Sequence, residues 1–333
     1  MNTQLPGGRP PKRRLAVTVP FDKVNGSAVR SLLKVSPRFP FGAPSWPGGV
    51  PLPPAERELG VHYDSDWARS PLARISRSVI QTSLTNPVVR AITSPTVRGL
   101  DRVAHLDEPV IFAANHSSHL DAPLLMAVIP QRWRDELFVA GAADYFFDTK
   151  LKAVMSALTL NAVPMERQRV SRTSARRATE LLDDGWSMLI FPEGGRSPDG
   201  WGQAHRAGAA WLAIRSEKPV IPLYVEGTGR ILPKGARRVK TGKVTVNFGA
   251  PMFPPADGDA RAFATAIEDS IAALADELVS DWYASRLRAG VSATPTLSGP
   301  DAPAWRRSWA LTRTKSGGGA SSSTKGWPWT APR

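Results

Sequence analysis

The chain has 333 residues, 42% of them hydrophobic, which is enough for one sizeable core with appendages. It has no cysteine, so disulfides, thiolate nucleophiles and cysteine-ligated zinc are excluded. A net charge of +14 points to an anionic partner, and basic residues mixed with 11 tryptophans suit a membrane interface at least as well as a nucleic-acid groove.

Residues 1–65 are rich in Pro and Gly, as in the run from Pro47 to Pro54. That composition predicts an extended, mobile arm. The short apolar patch from Leu15 to Phe21 is only a weak signal for an edge strand. Arg9, Lys12, Arg13 and Arg14 are followed by no continuous apolar segment, and no run reaches the roughly 18 apolar residues of a spanning helix. The expected location is therefore cytoplasmic, peripheral on the inner face of the cell membrane.

From Asp66 to Val103 the pattern is helical. Trp67, Leu72, Ile75, Val79, Ile80, Leu84, Val88 and Ile92 recur at three- and four-residue steps, with Arg69, Arg74, Arg77 and Arg90 between them. Pro87 and Pro95 should divide the run into shorter helices. The favoured reading packs the apolar stripe inward and leaves the Arg face in water. The competing one is a basic amphipathic helix on an anionic membrane surface.

Residues 109–250 alternate short apolar strands with helical stretches. Strands are expected at Val110–Ala114, Leu137–Ala140, Ala162–Pro164, Met188–Phe191, Val220–Val225 and Val244–Phe248. Helices are expected at Ala122–Val128, Lys150–Leu160, Ser171–Asp183 and His205–Ser216. This predicts an α/β domain over 66–290 with a mixed, partly parallel sheet flanked by helices, and ligands beyond the carboxyl ends of the strands. A single long helix, Ala260–Arg288, should close it. Residues 291–333 lose periodicity and predict a disordered basic tail carrying Trp305, Trp309, Trp327 and Trp329.

Chemistry-bearing residues gather where the predicted strands end. After the first comes Asn115-His116-Ser117-Ser118-His119-Leu120-Asp121. A carboxylate five positions on can fold back onto the His116 imidazole, set its tautomer and stabilise its charged form, making a general base for an alcohol. After a later strand comes Phe191-Pro192-Glu193-Gly194-Gly195-Arg196-Ser197. There the glycines allow a ligand close to the backbone, Arg196 can fork onto a phosphate, and Glu193 can accept from a substrate hydroxyl or hold Arg196. Arg167, in Val163-Pro164-Met165-Glu166-Arg167, is a second candidate phosphate ligand. Pro222, in Val220-Ile221-Pro222, should mark an edge or a bend.

In order and spacing these four blocks resemble the glycerolipid acyltransferase family, over about residues 75–250. Its members carry an Asn-His-x4-Asp block, an Arg block, a Phe-Pro-Glu-Gly-Thr-Arg-Ser block and a Val-Ile-Pro block. Two departures stand out: Gly195 replaces the usual Thr, and Glu166 stands where Asp is more usual. The resemblance implies a glycerol-phosphate acyltransferase-like fold. It also implies acyl transfer from acyl-CoA or acyl-carrier protein, as co-substrate, to a lysophospholipid acceptor. The product would be phosphatidic acid, from 1-acyl-glycerol-3-phosphate. His116 and Asp121 would be catalytic, and Arg167, Glu193, Gly194, Gly195, Arg196 and Ser197 would bind substrate. No cofactor and no metal are required.

Two rival readings remain. His116, His119 and Asp121 could ligate the metal of a hydrolase, although such sites need further histidines and only His205 follows. The charge alone suggests nucleic-acid binding, but Arg and Lys are spread along the chain with no recognised motif, so no nucleic acid is expected as partner.

Overall fold

The computed structural model describes residues 59–166, 172–197, 199–236, 238–256 and 258–299. Most of the N-terminal arm, including Leu15 to Phe21, lies outside them, as do the tail tryptophans and Arg167.

The described chain opens with helices Pro71–Ile80 (α1) and Asn86–Thr93 (α2), joined by a π-helical turn, Gln81–Thr85. Strand Pro95–Arg98 (β1) follows, then Ile111–Ala114 (β2), helices Asp121–Val128 (α3) and Gln131–Arg134 (α4), and Leu137–Ala142 (β3). Next come Ala143–Phe146 (α5), Lys150–Leu160 (α6), Ala162–Met165 (β4), Arg172–Asp183 (α7), Ser187–Ile190 (β5) and Gly208–Ser216 (α8). Val220–Glu226 (β6), Thr228–Ile231 (α9), Val244–Phe248 (β7), Ala260–Val279 (α10) and Trp282–Gly290 (α11) complete it.

The seven strands form one sheet, in the order β1-β7-β6-β2-β5-β3-β4. Every pairing is parallel except that of β6 with β7. The mixed, mostly parallel sheet flanked by helices is the expected class. Strand β2 is buried on both faces: Phe112 and Ala114 join a core with Leu124, Leu125 and Trp133, while Ile111 and Ala113 join another with Leu182, Leu212 and Ile271. A continuous apolar run is what a central parallel strand requires. Because β6, β2, β5, β3 and β4 run the same way, their carboxyl ends lie along one edge.

Several expectations are corrected. The stripe on α1 and α2 faces outward: Leu72, Ile75, Val79, Leu84 and Val88 are exposed, whereas Arg77 and Gln81 are buried. Arg77 can face inward because its guanidinium donates to the carbonyls of Ala68, Ala157 and Leu158. Burial lowers its pKa to about 10, which leaves it charged at neutral pH. Pro87 does not break the run, since the π turn just before it absorbs the lost helical hydrogen bond and α2 continues. Pro95 instead opens β1, a strand with no signal of its own. Pro222 lies in a strand paired on both sides, not at an edge. Pairing with β7 starts one residue later, and Gly249, which donates to Pro222 O, stands opposite: a Cβ there would meet Pro222 Cγ at 2.5 Å.

The long terminal helix is two helices, because Asp281 accepts from Ala284 N and starts a new one. Arg288 then folds back onto Asp276 through two bonds of 2.7 and 2.8 Å. Residue 205 does not begin a helix either: its N–H goes to Glu268, and that of Arg206 to Pro192 O, so α8 starts at Gly208. The last described stretch packs too, with Leu297 buried and its carbonyl accepting from Gly202 N at 2.8 Å. Among the described residues no helix is long and apolar enough to cross a membrane.

Candidate active site

The turn leaving β2 is tied at both ends. Asn115 bridges to β6, donating from Nδ2 to Val225 O (3.0 Å) and accepting from Val225 N at Oδ1 (2.7 Å). Ser118 is buried, and its hydroxyl donates to Leu232 O. Asp121 opens α3 and is fully buried. Its Oδ2 accepts from Ser117 N (2.7 Å) and Ser118 N (2.8 Å), and stands 2.9 Å from His116 Nδ1. Two fixed amide donors hold this oxygen in place. A carboxylate there fixes the tautomer with the proton on Nδ1 and leaves Nε2 to accept one.

The turn leaving β5 grips the same histidine. Glu193 Oε1 accepts from His116 N at 2.8 Å, and Ser197 N donates to His116 O at 2.9 Å. The Phe191 ring stacks on the imidazole, with centroids 4.1 Å apart and planes at 22°. His116 is therefore held through its amide, its carbonyl and its ring by one neighbouring turn. Parallel pairing of β2 with β5 makes the two turns adjacent.

The roles predicted for this turn change accordingly. Glu193 neither faces a substrate hydroxyl nor holds Arg196: it is buried, and its other oxygen accepts from Gln203 N at 3.0 Å. Burial, the largest influence, raises its pKa to about 8 against the pull of these two amides. Ser197 is buried as well, and its hydroxyl accepts from Gly200 N. Gly194 adopts φ +69 and spends its N–H on Phe191 O, so this amide is not open to a ligand. Neither φ nor crowding demands glycine at Gly195, where a Cβ would meet only Gln203 Nε2, at 4.0 Å. Arg196 reaches toward Tyr145, its Cζ 6.0 Å from the ring centroid. Arg167 follows β4 in sequence and lies outside the described residues.

His119 does not join the His116–Asp121 pair. Its Nε2 meets the Tyr145 hydroxyl at 2.9 Å and its ring stacks on that of Tyr145. Among the described residues no group of three or more His, Asp or Glu is placed to hold a metal ion. Sequence reasoning missed Tyr145, which lies in no periodic segment, and it gave Phe191 no role beyond the end of a strand.

A histidine–carboxylate pair at the strand ends of an open α/β sheet defines a class, and residues 94–226 match the family model described as Acyltransferase. The chain is 29% identical to the chloroplastic 1-acyl-sn-glycerol-3-phosphate acyltransferase BAT2 of Brassica napus, over 47% of this chain and 44% of that protein. It is likewise 29% identical to LPAT1 of Arabidopsis thaliana, over 47% and 43%. The chain thus spans less than half the length of these two relatives. Among solved structures, the crystal structure of the 1-acyl-sn-glycerophosphate (LPA) acyltransferase PlsC from Thermotoga maritima aligns at 22% identity and a TM-score of 0.48, covering 63% of this chain and 84% of that one.

Proposed function

We propose that the chain transfers a fatty acyl group from an acyl thioester, acyl-CoA or acyl-carrier protein, to the free hydroxyl of 1-acyl-glycerol-3-phosphate, forming phosphatidic acid. The observation that carries this reading is the 2.9 Å contact between His116 Nδ1 and a fully buried Asp121 that two backbone amides hold in place. Nε2 takes the proton of the acceptor hydroxyl as its oxygen attacks the thioester carbonyl. The oxyanion collapses, the C–S bond breaks, and the imidazolium returns its proton to the departing thiolate. An ester and a free thiol result.

Among the described residues the Gly195 N–H has no acceptor in the protein, so it is a donor left for the oxyanion. The Ser118 hydroxyl is committed to Leu232 O and is not offered as a nucleophile. Arg196, with Arg167 after β4, holds the acceptor phosphate, so that binding energy positions the hydroxyl. The exposed apolar stripe Leu72, Ile75, Val79, Leu84 and Val88, on a chain of net charge +14, supports peripheral attachment to an anionic membrane surface from which the acceptor is drawn.

The test is transfer of labelled acyl groups from acyl-CoA, and separately from acyl-carrier protein, to lysophosphatidic acid, read by lipid mass spectrometry. Wild type should form phosphatidic acid, and His116→Ala should lower kcat by at least about 100-fold. Undiminished turnover in that variant would remove the catalytic assignment.

A further inference from the structure

The carboxyl ends of β2, β5 and β3 are neighbours, so the short helix after β3 stands beside both turns of the site. Tyr145 lies on that helix, 37% exposed. His119, from the His116 turn, stacks on it with centroids 4.9 Å apart and meets its hydroxyl at 2.9 Å. Two cations lie over the ring: Arg196 from the β5 turn, at 6.0 Å from Cζ to centroid, and Lys152 from α6, at 5.4 Å from Nζ. Lys152 also pairs with Asp148 at 2.7 Å. Exposed Lys234 reaches in from beyond α9 and donates to the Arg196 carbonyl at 3.3 Å. Two basic side chains from separate elements therefore lie over one aromatic ring, a third stands against the backbone of one of them, and the His116 turn holds the ring through His119.

We propose that Tyr145 is a positioning residue for a phosphomonoester: its ring orients Arg196 and Lys152, which with Lys234 form the cradle that the acceptor's phosphate occupies. Long cationic side chains lose much rotamer freedom when they grip an anion, and an aromatic face that holds them beforehand reduces that loss. Arg presents a planar fork to phosphate oxygens and Lys a point charge, so the set surrounds the ligand from several directions. His119 links this cradle to the base, since it lies three residues from His116 on the same turn. That the phosphate is the acceptor's rests on the acyl-transfer reading above, because coenzyme A also carries a phosphomonoester.

Direct binding separates the two sources. Glycerol 3-phosphate and adenosine 3′,5′-bisphosphate are titrated into the full chain, followed by phosphorus NMR, for wild type, Tyr145→Leu, Tyr145→Phe and Lys234→Ala. Tyr145→Leu should weaken glycerol 3-phosphate about tenfold, and Tyr145→Phe, which keeps the ring, less than about threefold. Adenosine 3′,5′-bisphosphate should bind all four proteins alike. In kinetics Tyr145→Leu should raise KM for lysophosphatidic acid by a similar factor and leave KM for acyl-CoA unchanged. If Tyr145→Leu fails to fold, exposed Lys234→Ala carries the same expectation. The proposal is overturned if wild type does not bind glycerol 3-phosphate, if the variants bind it equally well, or if only the bisphosphate is lost. Absence of acyl transfer by wild type would instead sink the functional reading and leave the binding experiment to judge the cradle.

Discussion

Two buried carboxyl groups, Asp121 and Glu193, sit on adjacent turns at the same sheet edge, and each accepts from two backbone amides. Yet one touches the imidazole of His116 and the other only its backbone. In the proposed mechanism the β2 turn supplies the reacting group and its partner, while the β5 turn fixes their posture. Backbone-anchored acids of similar burial can therefore do different work, and the difference lies in which atom of the histidine they reach.

The largest expected effect falls on the chemical side of this comparison. Asp121→Asn leaves the shape of the turn but presents a neutral amide to Nδ1, so the imidazolium loses its partner. kcat should fall roughly 1,000-fold or more, with KM for the acceptor changed far less, in steady-state assays. Glu193→Ala should be milder in turnover and more costly in stability. It leaves two buried amides without acceptors, so unfolding free energy should drop by about 2–4 kcal/mol in urea titrations and kcat by about tenfold to 100-fold. Equal losses of kcat in Asp121→Asn and Glu193→Ala would erase the distinction drawn here.

The pH dependence sharpens it. Glu193 titrates near 4.5 when unfolded and at about 8 when folded. The folded state therefore holds its proton more firmly, so this contribution is fully present below about 4.5 and is lost as pH rises through about 8. Wild-type Tm should fall with rising pH across that window more steeply than that of Glu193→Gln, which has no such proton to lose. Parallel profiles would show that the group does not titrate there. Phe191→Leu, which removes the ring stacked on His116, should lower kcat only a few-fold. Smallest of all, Gly195→Thr should fold with wild-type stability to within about 0.5 kcal/mol, because an added Cβ meets nothing closer than 4.0 Å and φ there is not in the left-handed region.

How much of this could be read beforehand follows the physics. The strands β2 to β7 were visible as short apolar runs because a parallel sheet covered on both faces needs them. The His116–Asp121 pair was visible because its partners lie on one turn, five positions apart. Sequence periodicity also located the stripe from Leu72 to Val88, but not which way it faced. That depended on Arg77 finding three carbonyls, two of them about eighty residues away, to offset its burial.

The sequence by itself determined the alternation of strands and helices, and with it a sheet edge where strand-end turns collect their polar residues. It also placed a histidine and a carboxylate five positions apart on one turn, close enough to meet without a distant partner. Only the tertiary structure decided that Glu193 serves the backbone of His116, that Pro222 sits in a central strand, and that Tyr145 lies under Arg196 and Lys152. Those outcomes depend on which strand lies beside which, and strand order is set by long-range packing that no local pattern encodes.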